Sequence, residues 1–173
     1  MRRLPLLAVP ALVLAGFVFM LGVALPWLLG RQNLAPTPTQ PIAFDHHVHV
    51  AVAGLDCAFC HRAAATGVTA GLPDLEQCMF CHQAVGAGVP EIEKVRRAWE
   101  QQQPVDWERV HRLPDHTRFP HEAHIQAGVA CQTCHGDVGD MRQVLQARPL
   151  RMGDCVSCHQ AHGAPTQCGT CHY

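Results

Sequence analysis

From Leu4 to Gly30 the chain runs through twenty-seven residues without a charge, with Arg2 and Arg3 before them and Arg31 after. About 20 consecutive apolar residues cross a bilayer as a helix. The apolar region of a cleaved signal peptide is shorter, roughly 7–15 residues. The pattern therefore predicts an uncleaved transmembrane anchor over residues 1–31. Pro5, Pro10 and Pro26 fall near its ends or in its first turn, where proline is tolerated. Two arginines before the stretch against one after it put the N-terminus on the cytoplasmic side of the inner membrane and the rest on the periplasmic side. Residues 32–43 read as a linker, because Pro36, Pro38 and Pro41 favour an extended, semi-rigid chain.

Past the linker the apolar periodicity is poor. The clearest helical signal is Pro90 to Trp99, with proline early, Glu91 and Glu93 in the first turn and bases later. Ile92, Val95 and Trp99 form its apolar stripe, suited either to covering a prosthetic group or to meeting a partner subunit. Pro73 to Glu76 reads as the start of a short helix, Gly67 to Pro73 as a loop, and Val138 to Leu150 as a further helix carrying Met141.

A repeated polar pattern takes the place of the missing apolar one. Cys57-Ala58-Phe59-Cys60-His61, Cys78-Met79-Phe80-Cys81-His82, Cys131-Gln132-Thr133-Cys134-His135, Cys155-Val156-Ser157-Cys158-His159 and Cys168-Gly169-Thr170-Cys171-His172 use all ten cysteines. Cys-x-x-Cys-His is the attachment pattern of c-type haem. Two thiols add to the porphyrin vinyl groups, and the histidine that follows ligates the iron. Structural zinc also takes Cys-x-x-Cys pairs, but it does not require a histidine after each one. A disulfide scaffold gives no reason for those histidines either. Five covalently bound haems c are therefore expected, with His61, His82, His135, His159 and His172 as iron ligands.

Phe44 to Tyr173 provides 26 residues per motif. That is too little to wrap each haem in its own core, so the haems themselves must form the core. The expected fold is a multihaem cytochrome c of short helices and loops wrapped around packed haems, behind one N-terminal transmembrane helix. A chain so poor in apolar core should be largely unfolded without its cofactor.

Eight of the 13 histidines lie outside the motifs and form the pool of sixth ligands. Phe44-x-His46-x-x-His49 precedes the first motif, and Phe119-x-His121-x-x-His124 precedes the third, which marks an internal repeat. Histidines at i and i+3 share one side of a helical turn and can reach two different irons. The repeat register selects His46 over His47. His111 is a further candidate ligand. His116 is open between ligation and hydrogen bonding, and His162 between another haem and solvent. Met141 and Met152 are open between ligation and packing. The chain thus divides into a two-haem module at 44–82, a haem-free connector with a helix at 83–118, and a three-haem module at 119–173.

Formal net charge is −1 with no basic stripe, which excludes a nucleic-acid partner. With every cysteine committed no free thiolate remains, and no acid–base constellation is apparent.

The Phe-x-His-x-x-His strings resemble the cytochrome c7 and c3 class. Trp107 to Asp115 (Trp-Glu-Arg-Val-His-Arg-Leu-Pro-Asp), the Phe119 to Cys131 string, and Pro149-Leu-x-Met152-Gly-x-Cys155 resemble the pentahaem cytochrome subunit of alternative complex III. That resemblance implies an electron-transfer subunit of a membrane quinol:electron-acceptor oxidoreductase. It implies separate iron–sulfur and quinol-binding membrane subunits as partners, and a periplasmic cytochrome or terminal oxidase as acceptor. The sequence departs from the family at His116, where an aromatic is expected, and in its short span between Cys158 and Cys168. Alternative readings are a membrane-anchored donor to a periplasmic reductase, or a nitrite- or hydroxylamine-type reductase with one open iron.

Overall fold

The computed structural model describes residues 8–25 and 36–173, and the chain divides into two compact units between Leu34 and Ala35. In the first unit Ala8–Phe19 forms helix α1, which widens into a π-helical turn over Met20–Ala24. Its side chains are apolar all round, and Leu12, Leu14, Phe17, Val18 and Phe19 are each 60–67% exposed. Among the described residues no helix is long and apolar enough to cross a membrane. The anchor expected over 1–31 extends past them at both ends, since 1–7 and 26–31 lie outside the described residues, as does 32–35 of the expected linker.

The second unit is built of short helices and loops. Among the described residues it has no strand, only an isolated antiparallel bridge between Thr117 and His172. Each Cys-x-x-Cys-His motif sits on a helix: α2 (Cys57–Cys60), α3 (Leu75–His82), α6 (Cys131–His135), α7 (Met152–Ala161) and α8 (Cys168–Cys171). Between them lie α4 (Pro90–Glu100) and α5 (His121–Gln126). Acidic residues start several of these helices. The Asp56 carboxylate accepts the Ala58 N–H and the Asp74 carboxylate accepts the Gln77 N–H, each satisfying a free donor of the first turn.

Apolar packing is sparse. Ile42, Met79 and Val95 are the buried apolar residues among those described, with Leu75, Cys78, Trp99, Val105 and Trp107 packed against them. The stripe on α4 thus faces α3, the helix of the second motif. Arg96 clamps the end of α3, donating to the His82 carbonyl at 2.9 Å and the Val85 carbonyl at 3.2 Å. The segment before the first motif is tied to the same place, because Ala43 N–H donates to Glu91 at 2.7 Å.

The helix expected over Val138 to Leu150 does not form. Only Val138–Asp140 makes a single 3₁₀ turn, and Met141 is extended. Gly139 and Pro149 both oppose a helix in this span. The turn instead meets the π-helical turn at Val48–Val52, where a Cβ on Gly139 would lie 2.9 Å from Val50. His47 is held at this junction: its N–H donates to the Met141 carbonyl, and its ring lies 3.9 Å from Asp140.

Gly136, directly after the third motif, has φ 69° and ψ −165°, a region essentially closed to residues with a side chain. A Cβ there would lie 2.5 Å from that of Ala147. Gly136→Ala should therefore destabilise the protein by about 1–3 kcal/mol from backbone strain, with the clash adding to it. Thermal unfolding of the haem-loaded protein reads this directly, and an unchanged midpoint would refute it.

Candidate functional site

The motif histidines share one local arrangement. The Nδ1 of His61 faces the Gly71 carbonyl at 2.8 Å, that of His82 the Val85 carbonyl at 3.3 Å, that of His159 the Pro165 carbonyl, and that of His172 the His116 carbonyl at 3.4 Å. A carbonyl can only accept, so Nδ1 carries the proton and Nε2 keeps the lone pair a metal needs. His135 reaches the neutral state by another route. Burial lowers its pKa to about 4, with His111, His121 and His61 nearby adding to the effect.

The Phe-x-His-x-x-His repeat is also a repeat of geometry. Phe44 lies against His49 with centroids 4.3 Å apart and planes at 22°, and Phe119 lies against His124 at 4.3 Å and 23°. The first histidine of each string meets the same phenyl edge-on, His46 at 4.8 Å and His121 at 5.0 Å. His49 Nδ1 donates to Asp45 O at 2.8 Å, and His124 Nδ1 to Pro120 O at 2.9 Å, the carbonyl four residues back in both cases. Each phenylalanine therefore fixes the orientation of two imidazoles. The sequence shows the recurring phenylalanine but not this role. Phe119→Ala should lower stability by about 1–3 kcal/mol, under the range for a fully buried Phe because this one is only partly covered. Phe119→Leu should restore most of the loss in the same thermal-unfolding measurement.

Four of the five motif histidines are faced by another histidine. His49 and His82 have centroids 6.0 Å apart, His124 and His159 6.1 Å, His121 and His135 6.3 Å, and His116 and His172 5.5 Å. His61 lies close enough to His46 to help lower its pKa, second to burial. With metal–nitrogen bonds of about 2 Å, two imidazoles on opposite sides of one metal have centroids about 6 Å apart. His111 lies edge-on to His135 with centroids 4.5 Å apart. It is half-buried with its Nε2 unpartnered, as is His46 with its Nδ1. His162 is exposed at the end of α7. Met152 is 70% exposed, and the Met141 methyl lies beside Gly136.

The thiols form a row. Burial raises the Cys78 pKa, and Cys60 of the first motif adds to it. Burial raises that of Cys57, with Cys131 of the third motif next to it. Cys134 is raised by burial, against Arg148, with Cys158 of the fourth motif contributing. Cys155 is raised by burial, then Asp154, then Cys171 of the fifth motif. The motifs thus adjoin in the order second, first, third, fourth, fifth. Backbone contacts agree. Gln77 donates to the Phe59 carbonyl, His121 and Glu122 N–H groups donate to Val68 and Gly67, and Arg148 donates to the Thr133 carbonyl near the fourth motif.

The second site encloses a cavity of about 500 Å³ lined by Cys78, Cys81, His82 and His49 together with Phe59 and Trp99. Two thiols, two facing imidazoles and an apolar wall are the groups a covalently held haem requires, so the residues present fit that group. All ten cysteines are free, and among the described residues no three His, Cys, Asp or Glu side chains converge as a bare metal ion demands.

Comparison with known proteins agrees with this geometry. A family model described as class III cytochrome C matches residues 30–112, and one described as cytochrome c7 and related cytochrome c matches residues 117–173. The chain is 30% identical over 154 residues to the multiheme cytochrome c subunit of menaquinone reductase from Nitratidesulfovibrio vulgaris, covering 77% of this chain and 73% of that one. It is 30% identical over 54 residues to cytochrome c3 of Desulfuromonas acetoxidans, covering 31% of this chain and 76% of that protein.

Proposed function

Because the chain belongs to the multihaem c-type cytochromes of the class III and c7-like kind, with covalently bound haem c and an electron-transfer role, we propose that it is the five-haem relay of a membrane quinone oxidoreductase. The observation that carries this reading is the placement of a second histidine against four of the five motif histidines. An iron held on both sides by protein has no position left for substrate, which favours relay over a nitrite- or hydroxylamine-type reductase.

Haem c, once attached, supplies reversible one-electron chemistry at its iron. The chain's own residues do the rest. The ten motif cysteines anchor the rings. His61, His82, His135, His159 and His172 hold one side of each site. His46, His49, His121 and His124 hold the other side of the first four, in the sequence set by the repeat: the first histidine of a string serves the first motif after it, and the second serves the next. Phe44 and Phe119 hold these imidazoles in line. Arg96 and α4 brace the second motif, at one end of the row. His111 lies beside the third site, edge-on to His135.

The reading includes a membrane tether. The uncharged stretch and the all-round apolar surface of α1 suit a lipid environment, with the haem unit on the periplasmic side. The partners are quinone-binding membrane subunits and an iron–sulfur subunit, as in alternative complex III. In that arrangement electrons leave quinol for a periplasmic cytochrome or oxidase. The name of the Nitratidesulfovibrio relative supports the opposite direction, towards menaquinone. Isolation from native membranes tests the proposal. The chain should co-purify with quinone-binding membrane subunits, and its haems should equilibrate with added menaquinol. Whether menaquinol reduces them, or they reduce menaquinone when poised low, fixes the direction. A soluble monomer without partners would overturn the assignment.

A further inference from the structure

One side chain of the connector reaches the backbone that orients a motif histidine. Arg96 on α4 is largely covered, with 19% of its side chain exposed. Its Nε donates to the carbonyl of His82 itself at 2.9 Å, and its Nη2 donates to the Val85 carbonyl at 3.2 Å. The same Val85 carbonyl accepts from Nδ1 of His82 at 3.3 Å. One oxygen thus takes a hydrogen bond from the imidazole and a second from the guanidinium. The third branch of the fork, Nη1, donates to Glu93 at 3.3 Å, and Glu93 Oε1 also accepts the Gly88 N–H at 3.1 Å. The helix that carries the fork is fixed in place, because Val95 belongs to the apolar core and Trp99 lines the cavity of the second site.

Such a fork acts on an iron through its ligand. A carbonyl that draws strongly on the Nδ1 proton makes the other ring nitrogen a more basic ligand, and a more basic ligand favours ferric iron. An oxygen divided between two donors draws less on each. A positive charge held in a poorly hydrated place also disfavours the oxidised, more positive iron. Both effects point the same way. We propose that Arg96 holds up the potential of the haem at the second motif, by sharing the carbonyl that orients His82 and by its charge, with the Glu93 carboxylate limiting the rise. This inference rests on the reading that the second motif holds haem c with His82 as an iron ligand. It turns α4 from a brace into the element that sets the potential of one end of the row.

The test is a spectroelectrochemical titration of the full haem-loaded protein and its variants, with haem counted in each sample by pyridine haemochrome. Arg96→Leu should retain five haems and shift one of the five one-electron waves to lower potential. Glu93→Gln keeps an oxygen for Arg96 and Gly88 but loses the negative charge, and it should shift the same wave upward. Opposite shifts separate tuning from a mere loosening of the site, which would move both variants the same way. The displaced wave should be the one missing from the four-haem protein carrying Cys78→Ala and Cys81→Ala. If Arg96→Leu fails to retain the second haem, Glu93→Gln decides: an upward shift supports the proposal, and five unmoved waves overturn it. Unmoved waves in a five-haem Arg96→Leu protein, or shifts of the same sign in both variants, also overturn it. Failure of the underlying reading looks different, since removing Cys78 and Cys81 would then leave the haem count unchanged.

Discussion

Produced with all ten motif cysteines changed to alanine, the chain should show no cooperative unfolding transition for residues 36–173. Its near-ultraviolet circular dichroism should be featureless, and limited proteolysis should clear the whole unit at enzyme levels the haem-loaded form survives. The cause is the shortage of apolar core. Ile42, Met79 and Val95 are the buried apolar side chains among the described residues. Fully burying one such side chain is worth about 1.5–3 kcal/mol, while ordering each residue costs about 1–2 kcal/mol of backbone entropy. Three of them cannot hold a unit of this length. The helices cannot stand alone either, because α2, α6 and α8 have four or five residues, far below the length at which isolated helices persist. Covalent attachment would supply what is missing: a ring against Phe59 and Leu72, which line the cavity at the second site, and a crosslink between the two thiols of each motif. A sharp transition in the cysteine-free protein would show that the polypeptide folds on its own.

The second large effect comes from the middle of the row. Changing both Cys131 and Cys134 to alanine should give a protein with four haems that no longer passes electrons from one end to the other. The order of the motifs predicts this. The third motif meets the first through Cys131 and Cys57, and Cys134 lies near enough to Cys158 of the fourth to feel its charge. Without it, the pair formed by motifs one and two is separated from the pair formed by four and five. The matching change at the end, Cys168 and Cys171 to alanine, should leave the first four sites in contact and remove only the exit or entry point. Stopped-flow spectroscopy of the intact complex distinguishes the two. The central variant should show fast reduction of half its haems and a stalled remainder, while the end variant should show uniform reduction of all four. Uniform reduction in the central variant would refute the linear order.

What the sequence revealed about this protein was mostly local. The Cys-x-x-Cys-His spacing implies a short helix at most of the motifs, because the histidine must turn back beneath the ring. The helix start at Pro73 to Glu76 was visible, and Asp74 caps it, whereas the cap at Asp56 was not read. The Phe-x-His-x-x-His repeat predicted two equivalent imidazole pairs, and both strings adopt the same geometry to within a few tenths of an ångström. α4 was legible from its proline, acids and apolar stripe. The face it meets was not, since that depends on Arg96 reaching the end of α3. Val138 to Leu150 misled because its apolar residues have helical spacing, yet Gly139 and Pro149 set a turn that docks against Val50. Which histidine faces which was hidden in the sequence for a further reason. His116 meets His172 across 56 residues through a single bridge, and no periodicity or propensity records such a contact. His111, beside the connector motif, drew attention as a ligand, and the partner of its ring, His135, was not readable from the spacing.

The intact mass of the mature chain under denaturing conditions, with a pyridine haemochrome spectrum of the same sample, tests the central claim most directly. Five haem masses bound covalently to one polypeptide, with the spectrum of a haem joined through two thioethers, is the predicted result. A polypeptide carrying no covalent adduct, or one carrying fewer than five haems, would contradict it.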